Sequence, residues 1–180
     1  MSEDARGPLS RKLRVETIGD TTSGTVEATK EEMAAVASLL ELVALERLAF
    51  AYRLVPAGGH RIRLTGKLTA SVVQTCVVSL DPVASDIDLP AEIEFWPEGS
   101  VVALEKSAEA DPGASVLEWP EPIEDGTIDL GPVVYETLAT SLDPYPKKAG
   151  VSFEWSQGGG KEAALRASGP FAALDKLKRG

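Results

Sequence analysis

"IRLTGKLTASVVQTCVVSL", residues 62–80, is the stretch on which the fold turns. Its even positions read Ile62, Leu64, Gly66, Leu68, Ala70, Val72, Gln74, Cys76, Val78 and Leu80. The odd ones begin, from just outside the stretch, with Arg61, Arg63, Thr65, Lys67, Thr69 and Ser71. A period of two with one apolar and one largely polar face is that of a half-buried strand. The run exceeds an ordinary strand, so a bend or bulge is expected, with Gly66 as its place. The parity passes Gly66 unbroken, which favours one bent strand over a tight turn there.

The neighbouring segments extend this sheet. "SLDPVASD" (79–86) reads as a turn, and "IDLPAEIEFWPEG" (87–99) resumes the alternation with Ile87, Leu89, Ala91, Ile93 and Phe95 on one face. Pro90 falls on the other face, which points to an edge strand or a bulge. Two alternating runs joined by a short turn imply an antiparallel sheet with one solvated side. Upstream, "RKLRVETI" (11–18) reads as a short edge strand, and "TTSG" (21–24) breaks that pattern. Thr29 followed by Glu32 is a capping-box signature. Met33, Val36, Ala37, Leu39 and Leu40 then form an apolar stripe at helical spacing. "RLAFAYRLVP" (47–56) turns strand-like and stops at "PAGG" (56–59).

Downstream, residues 97–125 read as an acidic loop in which Lys106 is the lone base, with Leu117, Trp119 and Ile123 able to dock. "IDLGPVVYETLATSL" (128–142) is a second helix, capped by Asp129 and tolerating Pro132 in its first turn. Leu130, Val133, Val134, Leu138 and Leu142 would face the core. "DPYPKKAG" (143–150) ends it, "SQGGGKEAALRASGP" (156–170) reads as a flexible linker, and "PFAALDKLKRG" (170–180) as a short basic amphipathic turn. The expected organisation is a flexible start at 1–10, a single domain over 11–155 and a flexible tail at 156–180. Its fold class is α+β, a curved antiparallel sheet, open or closing toward a barrel, with two main helices packed on it.

The bulk composition narrows the function. At 180 residues, with 43% hydrophobic and 26% charged content, the chain suits one globular domain. Its 28 acidic and 18 basic residues give a net charge of −10. Such a field repels phosphate backbones and steers toward a basic protein partner. A single cysteine excludes an intramolecular disulfide. The N-terminal stretch lacks the apolar core of a signal peptide, and no window approaches a membrane span, so the cytoplasm is the expected location.

Little in the chain reads as chemistry. Cys76 would need a nearby base to act as a nucleophile. The only histidine, His60, would lie about 50 Å away along an extended strand. On the apolar parity, Cys76 reads as a small buried hydrophobe. One Cys and one His cannot build a structural zinc site. "AGGH" and "SQGGGK" match no phosphate-binding loop. Glu92 and Glu94 read as a solvated face and not as an acid/base pair. No catalytic residue, cofactor or metal is therefore expected. Arg61, Arg63 and Lys67 form a small basic stripe that could touch phosphate or blunt a sheet edge. Tyr145, Lys147 and Lys148 lie in "PYPKK" (144–148), a stiff, basic, aromatic loop, and form the better contact candidate.

The order of blocks resembles a known family. "RIRLTGKLTASVVQTCVVSLDPV", "IEFWPEG", an acidic insert, "IEDGTIDLGPVVYETLATSLDPYPKKAGVSFEW" and a closing "PFAALDKLK" are similar to the YceD-like proteins, nearest their alphaproteobacterial branch. The resemblance implies a non-enzymatic role in accumulating large-subunit (23S-type) ribosomal RNA, in a family whose gene often neighbours that of a small ribosomal protein. Many members carry a second cysteine three residues after the first. Here that position is Ser79, so paired-cysteine metal or redox roles do not transfer, and Cys76 is read as a landmark inside the sheet. The implied partner is a ribosomal protein or a precursor of the large subunit, with direct RNA contact disfavoured by charge and no membrane involved. The rival reading is a small-ligand-binding β-barrel, which would require a lined cavity.

Overall fold

The computed structural model describes residues 7–110 and 119–151. Residues Met1–Ala149 belong to one compact unit, and Gly150–Gly180 to a second, of which only Gly150 and Val151 are described. The linker and basic turn expected after residue 155, and Leu117, lie outside the described residues.

The alternating stretch forms β4, Ile62–Thr75, the centre of a five-stranded sheet. It is flanked antiparallel by β3, Ala44–Pro56, and β5, Pro82–Pro97. β2, Thr22–Glu27, pairs with the far side of β3, and β6, Glu121–Ile123, adds in parallel to the end of β5. The order β2-β3-β4-β5-β6 leaves an open sheet, not a closed barrel. A small second sheet joins β1, Lys12–Arg14, to β7, Thr127–Asp129. The helices are α1, Lys30–Leu39, α2, Glu98–Ala110, and α3, Leu130–Ser141. The architecture is α+β.

Alternation along β4 separates core from solvent. Ile62, Leu64, Leu68, Ala70 and Val72 are buried, and they meet Leu48, Phe50 and Leu54 of β3. Val36 of α1 and Leu130, Val133, Val134 and Leu138 of α3 complete the same cluster. Each large side chain so buried contributes roughly 1.5–3 kcal/mol, against about 0–1 for an exposed ion pair on the opposite face. The inner face therefore sets the register. Gly66 does not bend the strand, because pairing runs through it unbroken on both sides. A Cβ at that position would overlap the Phe50 ring, so the glycine makes room for the core's largest side chain. The bulge lies instead in β3, between Leu45 and Arg47.

Local signals define the helix starts. Thr29 and Glu32 form the capping box of α1, with Thr29 Oγ1 accepting from Glu32 N–H and Glu32 Oε2 from Thr29 N–H. Arg11 clamps the same glutamate at 2.7 and 2.8 Å, holding its carboxyl down at about 2. Asp129 caps α3 through Gly131 N–H and also accepts from Ser10 Oγ and Arg11 N–H. The loose N-terminal start gives way at Leu9, which is buried where its backbone crosses Gly131 too closely for any Cβ.

Four further local expectations need correction. Residues 97–125 are not a loop throughout, since 98–110 form α2, giving three helices instead of two. The flanking prolines and glycines outweighed the helix-forming "VVALEKSAEA" inside the segment. The "TTSG" break is the first half of β2, held by its pairing to β3. β5 starts at Pro82, so the preceding turn is shorter than expected. β4 ends at Thr75, which puts Cys76 in the turn beyond the sheet and not inside it.

Candidate functional site

The β4–β5 turn and the loop after α3 are one structural unit. Leu80, at φ 62°, and Cys76 close the turn through Cys76 N–H to Asp81 C=O at 2.8 Å and Leu80 N–H to Cys76 C=O at 3.0 Å. The late loop docks on it: Val77 N–H donates to Pro146 C=O at 2.9 Å, and Gln74 Nε2 to Asp143 C=O at 2.9 Å. Lys148 Nζ pairs with Asp81 at 3.0 Å, lowering the Asp81 carboxyl. The Cys76 thiol is fully buried at this junction. Its Sγ accepts from the N–H groups of Val78, Ser79 and Lys148 at 3.4–3.5 Å. The Ser79 hydroxyl and then these backbone donors favour the thiolate, against the opposing effect of burial, and bring the pKa down to about 6. Cys76 is thus buried, as its parity indicates, but serves as a polar tie between two loops.

The docked loops expose apolar side chains. Leu80 is 75% exposed, Tyr145 72% and Val77 49%. Lys147 is also exposed beside them. Exposed Leu39 and Val43 belong to the same end of the sheet, because Val43 N–H bonds Val73 C=O near the end of β4. Tyr145, Lys147 and Lys148 therefore stand together on a loop that is hydrogen-bonded to the β4–β5 turn.

Arg61, Arg63 and Lys67 stand apart from that loop. Arg63 reaches Glu94 at 2.8 Å and Glu92 at 3.6 Å, and Lys67 reaches Asp88 at 2.9 Å. The Arg61 guanidinium lies 3.8 Å above the Trp96 ring. Trp96 Nε1–H and Arg63 together hold the Glu94 carboxyl below its ordinary value. Each cation of the stripe is answered by a group on β5, so the acidic row of that strand neutralises the basic row of β4.

A cleft that the sequence reading did not identify opens beyond β5. It has a volume of about 650 Å³ and runs between the strand's outward edge and α3. Trp96 and Trp119 help to line it, as do Glu121 and Glu136. Burial of Glu121, with the charge of Glu136, pushes the Glu121 carboxyl above its ordinary value. Pro90 and the docking role read for Trp119 were partial signals; the approach of Glu136, from a helix some forty residues on, was not legible.

No nucleophile–base pair forms from the sequence candidates. His60 sits in the β3–β4 turn and Cys76 in the β4–β5 turn, at opposite ends of β4. Among the described residues, no group of three or more His, Cys, Asp or Glu is arranged to hold a metal ion. Among them, too, no helix is long and apolar enough to cross a membrane.

No curated protein and no solved structure matches this chain. The family model described as "Large ribosomal RNA subunit accumulation protein YceD" matches residues 64–178, from near the start of β4 nearly to the C-terminus. The chain belongs to the YceD family, whose name assigns it a role in accumulation of large-subunit ribosomal RNA.

Proposed function

We propose that this protein is a non-enzymatic ribosome-assembly factor that supports accumulation of 23S-type RNA by binding a ribosomal protein or a precursor of the large subunit in the cytoplasm. The family match over residues 64–178 carries this reading. The net charge of −10 supports a basic protein as the direct contact in preference to bare RNA. The first candidate surface is the late loop with Tyr145, Lys147 and Lys148, where a supported aromatic flanked by cations suits recognition. Arg61, Arg63 and Lys67 are the second candidate, weakened as a phosphate site by their partners on β5.

Depletion in the host, followed by the ratio of large- to small-subunit RNA and a subunit sedimentation profile, tests the reading. A selective fall in large-subunit RNA is expected, and an unchanged ratio during fast growth would overturn it. Charge reversal at Lys147 and Lys148 should weaken co-sedimentation with precursor particles while the circular dichroism spectrum stays native. Undiminished co-sedimentation would remove the loop as the contact.

A further inference from the structure

β5 is paired with β4 from Pro82 to Phe95, but β6 covers its other edge only from Phe95 to Pro97. From Pro82 to Glu94 that outward edge carries no strand among the described residues. Six consecutive residues, Leu89 to Glu94, line the cleft. Neighbours on a strand point to opposite faces, so a cleft lined by all six must face the strand's edge. The facing wall is one side of α3, with Val133, Glu136, Thr137 and Thr140 at helical spacing. The gap thus lies beside backbone that no described strand pairs, in line with β6.

Among the described residues the charge of the cleft has one sign. Glu92, Glu94, Glu121 and Glu136 line it, and no described Lys, Arg or His does. Glu92 and Glu94 are met by Arg63 on the outer face of the sheet. Glu121 and Glu136 meet no cation among the described residues. Trp96 and Trp119 add apolar wall, and Arg61 covers a face of the Trp96 ring. Pro90 interrupts the donor row, which discourages indiscriminate strand pairing at an open edge. Acidic walls repel phosphate, and a second copy of this chain would bring its own acidic β5 to the edge.

We propose that the cleft takes an extended, cationic segment of a basic protein, added as a strand beside Leu89–Glu94, with its basic side chains on Glu121 and Glu136 and its apolar ones against Trp119. This deepens the proposed function by naming the partner's chemistry, and it rests on that reading only for the partner being ribosomal. Backbone pairing along a strand edge supplies affinity in this mode, and alternate side chains supply selectivity. Charge complementarity supplies orientation.

The test titrates the full chain with a synthetic peptide alternating lysine and valine, read by tryptophan fluorescence. Two twins of the peptide carry N-methyl groups on one or the other alternate set of residues. Binding should survive methylation of one set and be lost with the other, because only one set of N–H groups faces β5. The double variant Glu121→Gln/Glu136→Gln should bind roughly tenfold more weakly, the loss of about 1.4 kcal/mol. Equal behaviour of the two twins, or undiminished binding by the double variant, would overturn the proposal. So would binding that appears only after Lys176, Lys178 and Arg179 are reversed in the full chain, since the cleft would then belong to this chain's own end. Edge-dependent peptide binding with an unchanged ribosomal RNA ratio on depletion would remove the ribosomal reading and keep the cleft. The opposite pair of results would keep that reading and remove the cleft.

Discussion

The two long edges of β5 have different fates. Toward β4 its backbone is paired from Pro82 to Phe95, and its acidic side chains meet cations: Asp88 with Lys67, Glu92 and Glu94 with Arg63. Away from β4 no strand among the described residues pairs with it as far as Glu94, and Glu121 and Glu136 face each other across a cleft to which the described residues bring no base. The net negative charge of the chain is therefore not spread evenly in its effect. Where rows of opposite sign meet across a ladder, the charge is spent on local pairs that contribute little. Where acidic groups from two segments converge with no partner among the described residues, their repulsion is what the proposed cationic strand would relieve.

The largest effect should come from the paired side. Gly66→Ala drives a Cβ into the Phe50 ring and should cost about 2 kcal/mol, read from the denaturant midpoint. A midpoint within error of wild type would mean that the β3–β4–β5 ladder yields more easily than its register suggests. The turn that leads into β5 comes next. The fold favours the Cys76 thiolate, with its pKa lowered from 9.0 to about 6. That contribution is complete above the ordinary value and is lost as pH falls through the lowered one. Stability of the wild type relative to Cys76→Ala should therefore decline as the solution is acidified from pH 9 to 6. Parallel profiles for the two proteins would remove the thiolate from the latch.

Lys67→Ala breaks a pair exposed on both sides and should cost less than about 1 kcal/mol, screened further by salt. A larger loss would mean that the charge rows act as a network. The smallest effect, and the one opposite in sign, belongs to the open edge. The raised Glu121 pKa means that stability is greatest while the group is protonated and falls as pH rises through the raised value. Glu121→Gln should remove that fall and slightly raise the unfolding midpoint at neutral pH. A lower midpoint would show that the carboxylate is already satisfied within the fold.

The alternation over residues 62–80, the Thr29/Glu32 box and the Asp129 cap were legible because each depends on neighbours within a few residues. Pro90 announced an edge for the same reason: a missing N–H is a local fact. Gly66 was misread because its neighbour is the Phe50 ring on another strand, sixteen residues back. The helix inside 97–125 was hidden by the breakers at its borders. Cys76 was rightly read as buried, but the donors that surround its sulfur include Lys148, seventy-two residues away.

By itself, then, the sequence determined the strand periods, two helix starts and an acidic chain of α+β class, because period, capping and net charge are properties of short windows or of sums. It took the folded chain to reveal that the basic stripe is neutralised, that the late loop is latched to the β4–β5 turn, and that one edge of β5 faces an acidic cleft. Those are meetings of distant segments, and they depend on how the core closes over Phe50, Leu64 and Leu138, which no local pattern encodes.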